Sequence, residues 1–120
     1  MSVRHLATRA EYEEALSHKG LVVVDFTATW CGPCKKIAPF FASLAAEHKH
    51  VVFGKVDVDE NEETAQLCGV RSMPTFHFYV HGKLVHTVSG ADEAGLRAGV
   101  EKHAGDKWAT LSGGMKMSEE

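Results

Sequence analysis

The chain has 120 residues, of which 44% are hydrophobic and 24% charged, with a formal net charge of −3 and three cysteines. That composition fits one soluble globular domain with a single core. It argues against a basic nucleic-acid-binding face, against a membrane span of about 20 apolar residues, and against a secreted scaffold held by many disulfides.

In chain order, residues 2–6 read as a short first strand. Thr8 with Glu11 fits a capping box for a helix over roughly 8–18, ended by Gly20. The first thirty residues contain no signal-like apolar core, because Arg4, His5, Arg9, Glu11, Glu13 and Glu14 interrupt it. The run Leu21 to Thr27 is nearly all apolar, the pattern of a central strand buried on both faces. A helix follows from about Cys31 to Glu47, with Ile37, Ala38, Phe41, Leu44 and Ala45 at helical spacing and Pro39 expected to kink it. Val51 to Val58 reads as the next strand. Asp59 with Glu62 offers a cap-like pair for a short helix that runs to Cys68 and stops at Gly69. Thr75 to Val80 and Lys83 to Val88 are strands joined by His81-Gly82, a hairpin signal. Asp92 caps a last helix to about His103, and Gly105 is expected to close it in the left-handed conformation. The order reads βαβαββα, with room for a further helix between the third strand and the hairpin. Strand–helix–strand units imply parallel pairing and the hairpin antiparallel pairing, so the sheet should be mixed and flanked by helices. Residues 1–104 form the expected domain, and 105–120, polar and glycine-containing, a flexible extension.

Trp30-Cys31-Gly32-Pro33-Cys34-Lys35 sits where the central strand gives way to the long helix. Two cysteines two residues apart can close a disulfide and reopen it. A helix N-terminus favours negative charge, which lowers a thiol below its free pKa of about 8.5. The thiolate is the nucleophile in disulfide exchange. Cys31, at the open helix end, is the expected attacking group, and Cys34, one turn further in, the resolving one. The competing reading is half of a zinc site. That needs four ligands, no second CxxC exists, and no metal is expected. Pro33 suits a first helical turn.

Asp25 stands six residues before Cys31 inside the apolar strand. Burial would raise its pKa and fit it to accept a proton from Cys34 through a water. Read plainly, a strand-end aspartate bonding local backbone is the alternative. Cys68 is expected to be an inert, half-buried thiol.

The pattern resembles the thioredoxin family. The matching residues are Val22-Val23-Val24-Asp25-Phe26, then Ala28-Thr29-Trp30-Cys31-Gly32-Pro33-Cys34-Lys35, Val56-Asp57-Val58-Asp59, Met73-Pro74-Thr75-Phe76, Gly82 and Ser89-Gly90-Ala91. The resemblance implies an α/β thioredoxin fold, with a central mixed sheet of four or five strands. It implies a thiol–disulfide oxidoreductase that reduces protein disulfides without a bound cofactor. It also implies a flavin-containing thioredoxin reductase as partner and targets such as peroxiredoxin or ribonucleotide reductase, with cytoplasmic location. Gly32 and Pro33 would set a reducing poise. Lys55 would tune Asp25, or simply be a surface lysine. Pro74 would be cis, and Trp30, Met73, Val70, Gly90 and Ala91 would form an apolar docking rim. Cys68 resembles an accessory cysteine of some eukaryotic members. Thr27 replaces a tryptophan of many bacterial members and points to the eukaryotic type. Two rival functions are a redox-gated protein-binding module and an isomerase-like domain of the same fold.

Overall fold

Residues 3–105 are described by a computed structural model. Its five strands are Val3–His5 (β1), Leu21–Thr27 (β2), Val52–Asp57 (β3), Thr75–Val80 (β4) and Lys83–Ser89 (β5). They form one sheet in the order β1-β3-β2-β4-β5. β3 runs parallel to both β1 and β2, while β4 is antiparallel to β2 and to β5. The helices are Arg9–Leu16 (α1), Gly32–Glu47 (α2), Glu62–Leu67 (α3) and Glu93–Ala104 (α4). The chain order is therefore βαβαβαββα: the short first strand belongs to the sheet and the further helix is present.

β2 explains the two-layered packing. Its residues from Leu21 to Phe26 are all buried, and alternate residues point to opposite faces. Leu21 and Val23 join Ile37, Phe41 and Leu44 of α2 and Leu96 and Val100 of α4. Val22, Val24 and Phe26 join Tyr12 and Ala15 of α1 on the other face. Phe41 stands edge-on to Phe53 with centroids 5.3 Å apart. Each such buried side chain contributes roughly 1.5–3 kcal/mol relative to exposure.

Local chemistry sets the element ends. Thr8 caps α1 in a complete capping box with Glu11. Asp92 caps α4, accepting from Gly95 N at 2.8 Å. His81 and Gly82 both take positive φ, 54° and 76°, the geometry that a two-residue hairpin loop requires. α2 continues through Pro39 without a break.

Three local expectations are corrected. α3 is capped by Asn61, whose side chain accepts from Thr64 N and whose amide donates to Leu6 O at 3.1 Å, so Asn61 also ties α3 to β1. Asp59 is not the cap. Gly105 follows α4 at φ −76°, right-handed rather than left-handed. β3 is also one residue shorter at each end than the run Val51 to Val58. The proposed extension, including Trp108, lies outside the described residues beyond Gly105.

Candidate active site

β2 delivers the chain to α2 at one end of the sheet, and the two cysteines lie at that junction. Cys31 is the N-cap of α2 and Cys34 lies in its first turn, with Pro33 between them. The pair is joined by a disulfide, with Cα atoms 5.3 Å apart. Cys31 Sγ accepts from Cys34 N at 3.2 Å, so a backbone donor of the helix start already faces the sulfur. Both residues are buried in this oxidised form, Cys31 at 5% exposure and Cys34 at 2%. The expected contrast between an open and a shielded sulfur is thus small. A Cβ on Gly32 would meet nothing within 4 Å, so the fold itself does not demand glycine there.

The rim has a definite composition. Trp30 is 65% exposed, and its Nε1 donates to Asp59 Oδ2 at 2.8 Å. Met73 and Val58 pack against the cluster of Ala28, Cys31 and Cys34. The Met73–Pro74 peptide is cis. Pro74 O accepts from Gly90 N at 2.8 Å, which brings the Gly90-Ala91 turn beside it. Gly90 takes φ 87°, a conformation that other residues adopt only with strain. Val70 belongs elsewhere: it packs with the α1-side core.

Asp25 is 4% exposed, and its Oδ1 has no hydrogen-bond partner among the described residues. Burial pushes its pKa up to about 7, partly offset by the positive charge of Lys55. Asp25 pairs with Lys55 in the β2–β3 register, and Lys55 itself is exposed. A cavity of about 550 Å³ has Asp25, Cys34, Lys55 and Ala38 in its wall. It reaches the surface at His5, Asp57 and Glu60, where His5 Nε2 contacts Glu60 Oε1. The carboxyl and the second cysteine therefore share one solvent-sized space.

Sequence reasoning missed the Trp30–Asp59 bond and the His5–Glu60 contact, which join residues 29 and 55 positions apart. It also missed a buried polar cluster on the α1 side of the sheet. Tyr12 and Tyr79 hydroxyls lie 2.8 Å apart, His77 Nδ1 is 3.1 Å from the Tyr79 oxygen, and the half-buried Cys68 Sγ donates to Tyr12 at 3.2 Å. Burial raises both tyrosine hydroxyls and lowers His77. β4 carries His77 and Tyr79 on one face, and the docking of α1 and α3 brings Tyr12 and Cys68 to them. No group of three or more His, Cys, Asp or Glu among the described residues is arranged to hold a metal ion.

A disulfide that caps a helix, at the end of a mixed sheet and beside a buried carboxyl, defines a thiol–disulfide oxidoreductase. Comparison with known proteins gives the family. Residues 3–102 match the thioredoxin family model. Thioredoxin of Geodia cydonium is 52% identical over 104 residues, covering 84% of this chain and 98% of that protein. Thioredoxin of Mus musculus is 47% identical over 104 residues, covering 85% and 99%. The X-ray structure of Fasciola hepatica thioredoxin superposes with a TM-score of 0.81 at 49% identity, covering 83% of this chain and 98% of that one. The chain belongs to the thioredoxin family. It is a thiol–disulfide oxidoreductase whose redox pair is Cys31 and Cys34, acting on proteins that carry disulfides. No helix among the described residues is long and apolar enough to cross a membrane.

Proposed function

We propose that Cys31 is the attacking thiolate and Cys34 the resolving one. In the reduced protein, Cys31 Sγ⁻ attacks one sulfur of a substrate disulfide. A mixed disulfide forms and the other substrate sulfur leaves as thiolate. Cys34, deprotonated, then attacks Cys31 Sγ, releasing the second substrate thiol and closing the disulfide. Two electrons pass to the substrate. The observation that carries this reading is the disulfide at the N-terminus of α2, with Cys31 as N-cap. Cys31 stands where helix N–H groups and the macrodipole favour its anionic form.

Asp25 receives the proton of Cys34. Its raised pKa, about 7, matches a group that exchanges protons near neutrality, and the shared cavity gives water a route between the two. Lys55 limits the rise in that pKa. Pro33 stiffens the first turn, and Gly32 leaves open space over the dithiol. Trp30, Met73, Pro74, Gly90 and Ala91 form the surface on which an extended substrate segment lies. The Met73 backbone, beside the cis bond, would pair with it. Residues 1–104 make up the working domain. In the cell, the protein carries electrons from a flavin-containing thioredoxin reductase to targets such as peroxiredoxin or ribonucleotide reductase, in the cytoplasm.

Substitution of the resolving thiol tests the order of attack. Cys34→Ser should accumulate mixed disulfides with lysate proteins, visible as higher bands on non-reducing gels that vanish with reductant. Cys31→Ser should give none. Equal trapping by the two variants would refute the assignment.

A further inference from the structure

A second cavity lies at the opposite end of the sheet from the dithiol. Its volume is about 450 Å³, and its wall includes Arg4, His18, Lys19, Lys49, His50 and Val52. No Asp or Glu among the described residues lines it. Arg4 comes from β1, His18 and Lys19 from the turn between α1 and β2, and Lys49 and His50 from the turn between α2 and β3. His18 Nε2 lies 2.9 Å from His50 O, which fastens the two turns to each other. Arg4, Lys19 and Lys49 make no ion pair among the described residues. Gly20 precedes β2 and the dithiol follows it, so the two sites are roughly 20 Å apart at about 3.3 Å per strand residue.

Basic residues after helix ends are ordinary, because they complement the negative end of the macrodipole. Two helix ends supply about one negative charge in total. Arg4, Lys19 and Lys49 supply three permanent positive charges, so the cavity stays cationic within a chain whose net charge is −3. We propose that this cavity binds an oligophosphate, a chain of two or three phosphoryl groups, free or carried on a small molecule. The Arg4 guanidinium presents a planar fork that suits one phosphoryl group, and the two lysines act as point charges for its neighbours. The volume falls in the range of small-molecule sites, about 300–1,000 Å³. Val52 is the sole aliphatic side chain in the wall, the rings there are the His18 and His50 imidazoles, and no Phe, Tyr or Trp offers a broad face to a base. Free tripolyphosphate and a nucleoside triphosphate should therefore bind alike.

The test is titration of the full chain with tripolyphosphate, and separately with a nucleoside triphosphate, in low salt without divalent cations. Amide NMR shifts are followed throughout. Saturable shifts confined to residues 4, 18–20 and 49–52 are expected, with equal affinity for the two ligands. Arg4→Gln and Lys49→Gln should each weaken binding about tenfold, the effect of losing one charged contact. Both side chains are exposed, and unchanged disulfide-reductase turnover serves as the check that each variant is folded. Non-saturating shifts spread over all lysines, or unchanged affinity in both variants, would overturn the proposal. So would preference for an acidic peptide, or a nucleotide bound far more tightly than tripolyphosphate.

Discussion

Replacing Asp25 with Asn should raise stability increasingly as pH climbs from 5 to 8. The Asp25 pKa is about 7 in the folded chain, against 3.8 for the ordinary group. Below 3.8 the carboxyl is protonated in both states, and folding gains the full benefit of a neutral buried group. Above 3.8 the unfolded chain releases its proton first, so stability falls until pH passes the folded value. The full loss is about 4 kcal/mol, from roughly three pKa units at about 1.4 kcal/mol each. About 1.5 kcal/mol of it has already gone at pH 5, so the part that falls between pH 5 and 8 is about 2.5 kcal/mol. The amide of Asn does not titrate. Its extra N–H donors need partners, at a pH-independent cost of about 1–3 kcal/mol if they find none. The informative quantity is therefore the slope, not the offset. Urea unfolding of the oxidised forms at pH 5, 6, 7 and 8 gives the difference between variant and parent, in which the histidine contributions cancel. A widening gap in favour of Asn is expected, together with slower disulfide reduction at neutral pH. A constant gap over that window would mean that Asp25 titrates as a solvated carboxyl, and its role as proton acceptor would fall with it.

Other perturbations follow from the packing. Asn61→Ala removes both the α3 cap and the buried bond to Leu6 O, and should cost about 1–3 kcal/mol by chemical denaturation; a loss under 0.5, the scale of an ordinary surface change, would contradict the tie between α3 and β1. Gly54→Ala would place a Cβ 2.7 Å from Leu6 Cδ1, so overpacking should lower stability by about 1–3 kcal/mol, and pairing it with Leu6→Ala should recover part of that loss. Ending the chain after Ala104 should leave reductase turnover and the melting temperature nearly unchanged, because Val100 and His103 are the last buried side chains described and the family match stops at residue 102. A fall of more than about 5 °C, equivalent to about 1 kcal/mol in a domain this small, would assign the last sixteen residues to the fold.

Where the sequence spoke clearly, one local pattern fixed one local structure. The capping box at Thr8, the Asp92 cap, the His81-Gly82 turn and the apolar β2 all rest on residues within a few positions of one another. The dithiol is equally local, since two cysteines three positions apart at a helix start need no tertiary information to meet. The errors arise where local residue type left more than one choice open. Asp59 and Asn61 are both good helix caps by residue type, and the choice fell to Asn61 because its amide reaches Leu6 O across the fold. Asp59 was left free to accept from the Trp30 indole. Gly105 could have adopted the left-handed form, yet nothing compels a glycine to use that freedom.

The part of the site that was hard to read is the part that depends on strand pairing. β2 carries Asp25 toward the α2 side of the sheet, where Val23 and Leu21 also point. Parallel pairing with β3 sets Lys55 opposite it, and antiparallel pairing with β4 sets Phe76 on the other side. The carboxyl therefore has one cationic neighbour strand and one aromatic one. Desolvation outweighs the attraction to Lys55, because that ammonium is exposed and screened by water while the carboxyl is not. A register shift of one residue would turn Asp25 to the opposite face, toward Tyr12 and Tyr79, and away from Cys34. The apolar run that makes β2 a strand thus also fixes where its one charge lies, and the proposed transfer of the Cys34 proton to Asp25 depends on that placement.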